Sequence, residues 1–451
     1  MKINLPLETR VIIERLESCG FQAYCVGGCV RDSLLCLPVY DWDICTEAKP
    51  EEVQRIFSDY DMFLAGLKHG TVSLCREGEV HEVTTFRREG DYGDGRHPDS
   101  VEFVGSLEED LSRRDFTVNA MAYSEKTGLV DPFGGLADLK AGVIKAVGQA
   151  EKRFSEDGLR IMRALRFSSK LGFSIEEETE RAMYSLVDML GSISRERINA
   201  EFCKLLQGRD AEWVLRKYSQ VVFACLPQLE PMLGFQQLNR HHRYDVWEHS
   251  LVCFGHAPSD DLVLRLGALF HDVGKPETFS VDAEGVGHFY GHGSRGAEIV
   301  REMMNGLRFD KETTGRVVRL VKYHDGVILP EKKYVKRWLG KLGTEDFQRL
   351  LTLKRCDMLA QSEYQRAEKE QALAAVCGAY QEVLAGKECF SLADLAVNGR
   401  DLIDAGFEPG PELGAVLAQL LEAVIDGQLE NSREQLLAAA GGFSGCDGGS
   451  E

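Results

Sequence analysis

The hydrophobic pattern of the chain changes at about residue 155, and this change limits the folds it can adopt. Before that point, a helical stretch from Leu7 to Cys19 is followed by short apolar runs of β type at 21–26, 41–45, 71–75, 80–86 and 101–104. After it, apolar residues recur at helical spacing almost to the C terminus, with breaks at Gly, Pro and Ser clusters. We therefore predict an α+β domain at the front of the chain and all-α structure behind it.

The length and the cysteine content of the chain indicate which broad class of protein it belongs to. A length of 451 residues corresponds to roughly three domains at about 150 residues each. No apolar run reaches the roughly 18 to 20 residues of a membrane span, and the N terminus lacks the features of a signal peptide. Thirteen cysteines at irregular spacing, with no CxxC pair, indicate reduced thiols rather than disulfides or structural zinc. These features predict a soluble cytoplasmic protein.

The charge of the chain is unevenly distributed. The formal net charge is −19, which argues against a nucleic-acid partner. Residues 113–170, however, hold 11 Lys or Arg and 7 Asp or Glu, so this stretch is +4 and the remainder is −23. A second basic cluster comprises Lys332, Lys333, Lys336, Arg337 and Lys341. Local basic surface of this kind predicts phosphate binding of modest, salt-sensitive affinity.

A glycine pair marks a candidate phosphate site near the N terminus. In YCVGGCVRDSLL an apolar strand runs into Gly27 and Gly28, and a helix begins near Cys29. Two glycines allow the backbone to approach a ligand closely, and free N–H groups at a helix start favour a phosphate.

Paired carboxylates follow this turn in the segment YDWDIC. Asp41 and Asp43 are two residues apart on the next predicted strand, so both side chains should project from one face. Such a pair beside a phosphate cradle suits two Mg²⁺ ions that activate an attacking 3′-hydroxyl group. Glu82, in VHEVTTF, is the candidate third carboxylate. A DxD pair alone is more often a solvated strand end, so the prediction depends on the combination.

Three further segments complete a family pattern: RRDFTVNAMAY (113–123), DPFGGLADLKAGVIKAVG (131–148) and EDGLRIMRALRF (156–167). With the glycine turn and the DxD pair, the chain resembles bacterial class II tRNA nucleotidyltransferases, the CCA-adding enzymes, in the superfamily that contains DNA polymerase β. The match holds in order and spacing over roughly the first 205 residues, including ISRERINAEF at 193–202. The motif residues that match are Gly27, Gly28, Arg31, Asp32, Asp41, Asp43, Arg113, Arg114, Asp115, Asn119, Glu156, Asp157, Arg160 and Arg163.

The resemblance implies template-independent addition of C, C and A to tRNA 3′ ends from CTP and ATP. Arg114 and Asp115 would hold the ribose hydroxyls of the nucleotide. Asp157 and Arg160, three apart on a predicted helix, would share a face and match the edges of cytosine and adenine, and Arg163 would extend that face. Outside this context the same pair would be an ordinary surface ion pair. The remaining nucleotide-binding residues implied are Gly28, Arg31 and Asn119.

The segment RREGDYGDGRHPDS (87–100) is polar and rich in glycine, which predicts a mobile loop between two strands. It resembles the flexible loop of the same enzymes.

A histidine-rich region suggests a second site. LGALFHDVGKPETF carries an HDxGK signature, and the region resembles the HD superfamily of metal-dependent phosphohydrolases. The combined imidazole and carboxylate ligands suit Ni²⁺, Mn²⁺, Co²⁺ or Zn²⁺ better than Mg²⁺, and Lys275 is a candidate phosphate contact. The resemblance implies phosphatase and 2′,3′-cyclic phosphodiesterase activity. The candidate metal ligands are His249, His271, Asp272, His292, His324 and Asp325.

The predicted domains are a nucleotidyltransferase head of DNA polymerase β type at 1–140, a helical neck at 141–205 and an HD-type helical body at 206–340. A helical tail at 341–440 would bind tRNA, with the helix opened by Gly410 and Pro411 offering N–H groups to a phosphate. The leucine and alanine stripe after residue 412 is predicted to be core or subunit contact, and residues 441–451 a disordered tail.

Five alternatives to this function remain open at this stage. A bacterial poly(A) polymerase shares the front motifs, and enzymes that add only CC or only A are also similar. A rival from another class is an HD phosphohydrolase with a vestigial head, and the complete DxD, RRD and EDxxR sets argue against it. A non-catalytic RNA-binding role would leave the carboxylates of the head without a use. Oligomeric state does not follow from the sequence.

Overall fold

The computed structural model describes residues 2–89 and 101–443. The chain divides into two compact units, Met1–Pro227 and Gln228–Glu451. Among the described residues, none of the helices combines the length and the apolar character that a membrane crossing requires.

The first unit is α+β, as the pattern before residue 155 predicts. Its strands are β1 (Ala23–Val26), β2 (Ile44–Thr46), β3 (Asp61–Phe63), β4 (Thr71–Arg76), β5 (Glu79–Thr85), β6 (Arg87–Glu89), β7 (Val101–Phe103), β8 (Ala122–Ser124), β9 (Gly128–Val130), β10 (Val143–Ile144) and β11 (Ser174–Ile175). Its α-helices are α1 (Leu7–Ser18), α2 (Gly28–Leu34), α3 (Pro50–Ile56), α4 (Leu107–Ser112), α5 (Gly135–Ala141), α6 (Ala150–Glu156), α7 (Leu159–Leu171), α8 (Glu177–Ser185), α9 (Arg195–Leu206), α10 (Ala211–Lys217) and α11 (Ser219–Cys225).

One mixed sheet organises this unit. Its strand order is β3-β4-β5-β2-β1-β8-β9, in which β2 and β5 run parallel and the other neighbours run antiparallel. Apolar side chains from β1, β2 and β8 pack against α4, and this layer excludes water beneath the sheet. Tyr24, Val26 and Ala122 are among its buried members. The central strands β1 and β2 are therefore fixed from both edges, which gives the residues at their ends defined positions.

The DxD pair lies just outside the strand on which it was expected. β2 begins at Ile44, so Asp41 and Asp43 precede it. The backbone of Asp43 still belongs to the sheet, because its carbonyl oxygen accepts a hydrogen bond of 3.0 Å from the N–H of Val26.

The second unit is helical apart from one short hairpin. Its elements are α12 (Val246–His256), α13 (Leu262–Phe270), α14 (Lys275–Thr278), β12 (Ser280–Val281), β13 (Gly287–His288), α15 (His292–Gly306), α16 (Lys311–Tyr323), α17 (Lys332–Ala360), α18 (Arg366–Ala385), α19 (Gly399–Asp404), α20 (Pro411–Ile425) and α21 (Arg433–Phe443). The helix α17 has a kink at Gly343, where the backbone φ is +76°.

The C-terminal helices agree with the sequence pattern in their core and differ from it at their end. Val416, Leu420 and Val424 on α20 pack with Leu436 on α21, so the apolar stripe after residue 412 is core. The expectation of disorder from residue 441 is wrong for 441–443, which belong to α21. Residues 444–451 lie outside the described residues, and so do 90–100 of the predicted loop.

Candidate active site and a histidine cluster

The glycine turn sits between β1 and α2, where the chain leaves the central strand. Gly27 has φ +80°, a conformation that residues with a side chain rarely adopt. A Cβ atom at Gly27 would lie 3.1 Å from Nη1 of Arg114. The glycine therefore brings the backbone close to the motif that starts at Arg113.

The three candidate carboxylates influence one another electrostatically. The register Ile44↔Val83 between β2 and β5 places Asp43 beside Glu82 on the neighbouring strand. The side chain of Asp43 opens to the cavity, but the surrounding walls remove much of its water. This desolvation raises the pKa of Asp43, Arg114 opposes the rise, and the charges of Glu82 and Asp41 add to it. Neighbouring carboxylates that repel one another, as the raised pKa of Asp43 shows, are suited to a divalent cation.

A buried polar chain links the glycine turn to α7. Nη1 of Arg31 donates to Oδ1 of Asn119, and Nδ2 of Asn119 donates to Oδ1 of Asp115 at 3.0 Å. Nε of Arg163 then donates to Oδ2 of Asp115 at 2.8 Å. Four predicted nucleotide-binding residues thus form one hydrogen-bonded unit across the front of the domain.

Asp115 is the centre of this unit and remains ionised. Burial acts to raise its pKa, but Arg163, Asn119 and the N–H of Phe116 outweigh burial and hold the pKa at about 2. A carboxylate of this kind is costly to bury and rigid once its partners are in place.

A second buried carboxylate, Asp110, was not identified from the sequence. It lies in α4, accepts a 2.7 Å hydrogen bond from Nη2 of Arg113 and lies 3.3 Å from Nη2 of Arg114. Its pKa is lowered because these two arginines outweigh its burial. The sequence LEEDLSRRD offers several acids before the arginine pair, and only the packing of α4 shows which one is buried.

The expectation that Asp157 and Arg160 share a helix face is wrong. Asp157 has extended backbone and ends α6, whereas Arg160 belongs to α7, which starts at Leu159. Asp157 is paired with Arg197, whose Nη2 donates to Oδ2 at 2.7 Å. Arg160 is bound to Glu156 and to the carbonyl oxygen of Arg113. Gly158 separates the two helices, and periodicity alone did not reveal this break.

Asp157 and Arg160 nevertheless line the same cavity. This cavity has a volume of about 750 Å³ and also contains Asp43 at its wall. A second cavity of about 670 Å³ is lined by Asp41, Asp43 and Tyr40. Asp43 thus lies where the two cavities meet. The nucleotide-binding candidates that line the larger cavity are Gly28, Arg31, Arg114, Asp115, Asn119, Asp157, Arg160 and Arg163.

In the second unit, five of the six predicted HD-site residues come together in the core. His249 lies on α12, His271 and Asp272 follow α13, His292 begins α15, and His324 follows α16. All five are buried, and close donor atoms join them in two sets that share Asp272.

The sixth residue differs from the prediction. Asp325 is half exposed, and its Oδ2 is 3.7 Å from Nδ1 of His292, which is the ring nitrogen turned away from Asp272. Asp357, on α17, lies instead 2.9 Å from Nε2 of His249. It lies 33 residues beyond His324 with no adjacent motif, so the sequence did not reveal it.

Lys275 is also placed differently from the prediction. It is buried, with Nζ 2.6 Å from Oδ2 of Asp272 and 2.8 Å from Oε1 of Gln237. It therefore supports Asp272. The lysines that line the neighbouring cavity of about 550 Å³ are Lys354 and Lys369.

The low pKa of Asp115 predicts a pH-dependent contribution to the stability of the first unit. A carboxyl group with a pKa of about 2 in the folded state stabilises the fold above its unfolded pKa near 4, by roughly 2 kcal/mol. That contribution is lost as the pH falls through about 4 to 2.

We expect Asp115→Asn to lower the free energy of unfolding at pH 7, and the difference from the wild type to shrink below about pH 4. Urea unfolding followed by tryptophan fluorescence across this range measures it. A difference that stays constant down to pH 2.5 would contradict the assigned ionisation.

Comparison with known proteins agrees with this architecture. Residues 23–145 match the family model described as Poly A polymerase head domain. Two further models, of an RNA-binding segment of polymerase A and of domain 2 of tRNA nucleotidyltransferases, match residues 172–221 and 295–440.

Relatives cover nearly the whole chain. A CCA-adding enzyme of Latilactobacillus sakei is 36% identical over 96% of this chain and 97% of its own length. One from Limosilactobacillus fermentum is 37% identical over 98% and 99%. The structure of the Bacillus stearothermophilus CCA-adding enzyme in complex with CTP is 31% identical, with a TM-score of 0.71 and 96% of both chains covered. The chain therefore belongs to the family of CCA-adding enzymes, the tRNA nucleotidyltransferases.

Proposed function

We propose that this protein adds C, C and A to the 3′ ends of tRNA from CTP and ATP. The observation that carries the proposal is the larger cavity of the first unit, where one carboxylate of the DxD pair faces several arginines. A nucleoside triphosphate presents an anionic tail, a ribose and a polar base edge, and this cavity has a complementary group for each. The relatives whose names include CCA addition cover nearly the full chain.

Asp41, Asp43 and Glu82 are the residues that would hold Mg²⁺. The donor set fits, because all three are carboxylates and the pKa of Asp43 is raised by burial and by the charges of Glu82 and Asp41 despite the opposing charge of Arg114, so a cation would relieve the remaining repulsion. When bound, Mg²⁺ supplies charge neutralisation at the triphosphate and Lewis-acid activation of the attacking hydroxyl group. Arg114 and Asp115, fixed by Asp110 and Arg163, would hold the ribose beside them.

The base would be read by a carboxylate and a guanidinium. Cytosine and adenine both present an amino group beside a ring nitrogen that accepts, whereas uracil and guanine present a carbonyl beside an N–H. Asp157 can accept from the amino group, because Arg197 and the N–H of Leu159 occupy only part of its accepting capacity. We assign Arg160 as the group that donates to the ring nitrogen of the base. To do so, Arg160 must give up its hydrogen bond to Glu156. We assign Arg197 the role of holding Asp157 in place.

The second basic cluster, at 332–341, is less well suited to bind phosphate than the sequence alone indicates. In the basic cluster at 332–341, Lys332 and Lys336 are within 3.3 Å of carboxylate oxygens of Glu388, and Arg337 is paired with Glu422 and Asp426. These pairs lower the net charge that the cluster offers to tRNA. We therefore place the tRNA contact mainly on the neck and tail segments that match the family models.

A second activity, hydrolysis of phosphoesters, is favoured by the histidine cluster. Each of His271, His292 and His324 has Nδ1 within 2.8 Å of a backbone carbonyl oxygen, which orients Nε2 toward Asp272. This is the arrangement by which proteins fix metal-ligating imidazoles. A bound transition ion would supply Lewis-acid activation of a phosphoester, and the HD resemblance implies phosphomonoesters and 2′,3′-cyclic phosphates as substrates.

Two lysines, Lys354 and Lys369, line the cavity beside the cluster and are the candidate contacts for such substrates. Nζ of Lys354 donates to the carbonyl oxygens of His324 and Gly326 at 2.6 and 2.7 Å, which fixes the turn after α16. Nζ of Lys369 donates to Oε1 of Gln361. Burial lowers the pKa of both lysines. Apolar side chains such as Leu373 and Val376 form part of the remaining wall.

The proposal for the head predicts that Asp43→Ala reduces nucleotide addition by at least about 100-fold, because a metal ligand at the reacting atoms is lost. Addition to a tRNA transcript in Mg²⁺ with CTP and ATP measures it. Asp61→Ala, which removes an exposed carboxylate from the edge strand β3, is the matched control and should retain full activity. Equal activity of the two variants would contradict the carboxylate assignment.

The base-reading assignment predicts that Asp157→Ala and Arg160→Ala relax selection of CTP and ATP over UTP and GTP. We expect the selectivity to fall about 10- to 100-fold, since a bidentate base contact is worth ~1–3 kcal/mol of discrimination. Arg197→Ala should lower the rate while preserving selectivity. The kcat/KM values of each variant for the four triphosphates measure this selectivity. If Arg197→Ala loses selectivity and Arg160→Ala retains it, the donor is Arg197.

A further inference from the structure

The smaller cavity of the first unit meets the larger one at the paired carboxylates. Asp43 lines both cavities, and so does Arg31. Asp41 lines the smaller cavity, whereas Arg114 and Asp157 line the larger one. A ligand in the smaller cavity would therefore lie beside Asp43 without taking the place proposed for the nucleoside triphosphate.

Nucleotidyl transfer requires a second substrate beside these carboxylates. The attacking and leaving oxygens lie roughly in line across the phosphorus atom, so they approach it from opposite sides. If the triphosphate occupies the larger cavity with its α-phosphate near Asp43, the larger cavity is filled by its own base, ribose and phosphates. The smaller cavity then remains for the nucleotide that carries the attacking hydroxyl group.

The wall of the smaller cavity suits the flat face of a nucleobase. Its volume of about 670 Å³ is partly enclosed by the apolar side chains of Leu37, Pro38 and Phe173. Tyr40 lies next to these residues and is 88% exposed. Its side chain makes no hydrogen bond, ion pair or ring contact with the other described residues. An exposed aromatic ring beside an apolar wall is a platform on which a base can stack.

A lysine with a weak internal partner lines the same cavity. Nζ of Lys170, at the end of α7, is 3.6 Å from Oδ2 of Asp32, and the side chain is about half exposed. This distance exceeds that of a strong hydrogen bond, so the ammonium group can turn to a phosphate. The nearby Arg209 differs, because it donates to the carbonyl oxygen of Leu171 and so belongs to the wall.

We propose that the smaller cavity receives the 3′-terminal nucleotide of the RNA acceptor, with its base stacked on Tyr40 and its phosphate beside Lys170. The inference rests on the proposed function and names the residues that would place its second substrate. Three successive acceptors end in the discriminator base, in C and in CC, so the site must accept bases with different edges. Stacking meets this requirement, because every base has a π face. Tyr40 thus holds the acceptor without reading its sequence.

Steady-state kinetics of the full-length protein test this role. We expect Tyr40→Ala to raise the KM for the tRNA acceptor about 5- to 100-fold, by a similar factor for all three acceptor ends. The kcat value and the KM for the triphosphate should stay unchanged, because only acceptor binding is lost. Tyr40→Phe, which keeps the ring, should behave as the wild type. Phe63→Ala, which removes an exposed aromatic ring from β3, is the matched control.

Photocrosslinking locates the acceptor end without requiring turnover. A tRNA transcript that ends in 4-thiouridine at the discriminator position is bound to the wild type without triphosphate and irradiated, and the crosslinked peptide is identified by mass spectrometry. We expect the crosslink within residues 37–40. A crosslink elsewhere, or a Tyr40→Ala variant that loses kcat while keeping the acceptor KM, would overturn this inference and leave the proposed function standing. A wild type that adds no nucleotide would overturn both.

Discussion

The first unit depends on one ion pair, between the buried Asp115 and the half-buried Arg163. Asp115 belongs to the segment that follows α4, and Arg163 belongs to α7, so their contact joins the sheet domain to the helices behind it. Asn119 and Arg31 extend the contact to the glycine turn. Because the buried charge of Asp115 is not stable without its partner, the pair fixes the distance between the groups proposed for the triphosphate and those proposed for the base.

This constraint would also explain how the proposed site accepts two different bases. If the phosphate and ribose contacts are fixed by a rigid network, only the few groups that touch the base edge can discriminate between bases. Asp157 lies at the end of a helix, next to Gly158, where the backbone is not bound by a continuous helical ladder. A small displacement there would accommodate a pyrimidine or a purine, whereas Asp115 and its partners would stay in place.

Much of the architecture was predictable, because it follows from local patterns. The α+β front and the helical remainder were confirmed, as was the family, since motifs such as GGCVRD and RRDFTVN depend on short-range order. The errors occurred where long-range packing decides. Asp110 and Asp357 carry no motif and become recognisable only when α4 and α17 pack. The helix break at Gly158 made the periodicity-based prediction for Asp157 and Arg160 wrong. Lys275 contacts Asp272 and does not line the cavity beside the histidine cluster. The finer domain boundaries and the roles of the site residues remain predictions.

The central claim is that the cavity of the head selects C and A and directs three additions. Transcripts of one tRNA ending at the discriminator base, at C and at CC, incubated in Mg²⁺ with CTP, ATP, both or neither, test it at single-nucleotide resolution. The account predicts three additions to the first transcript, two to the second and one to the third, with both triphosphates needed for the first two. Stopping at CC, addition only to the CC end, or long A tails without C would contradict it.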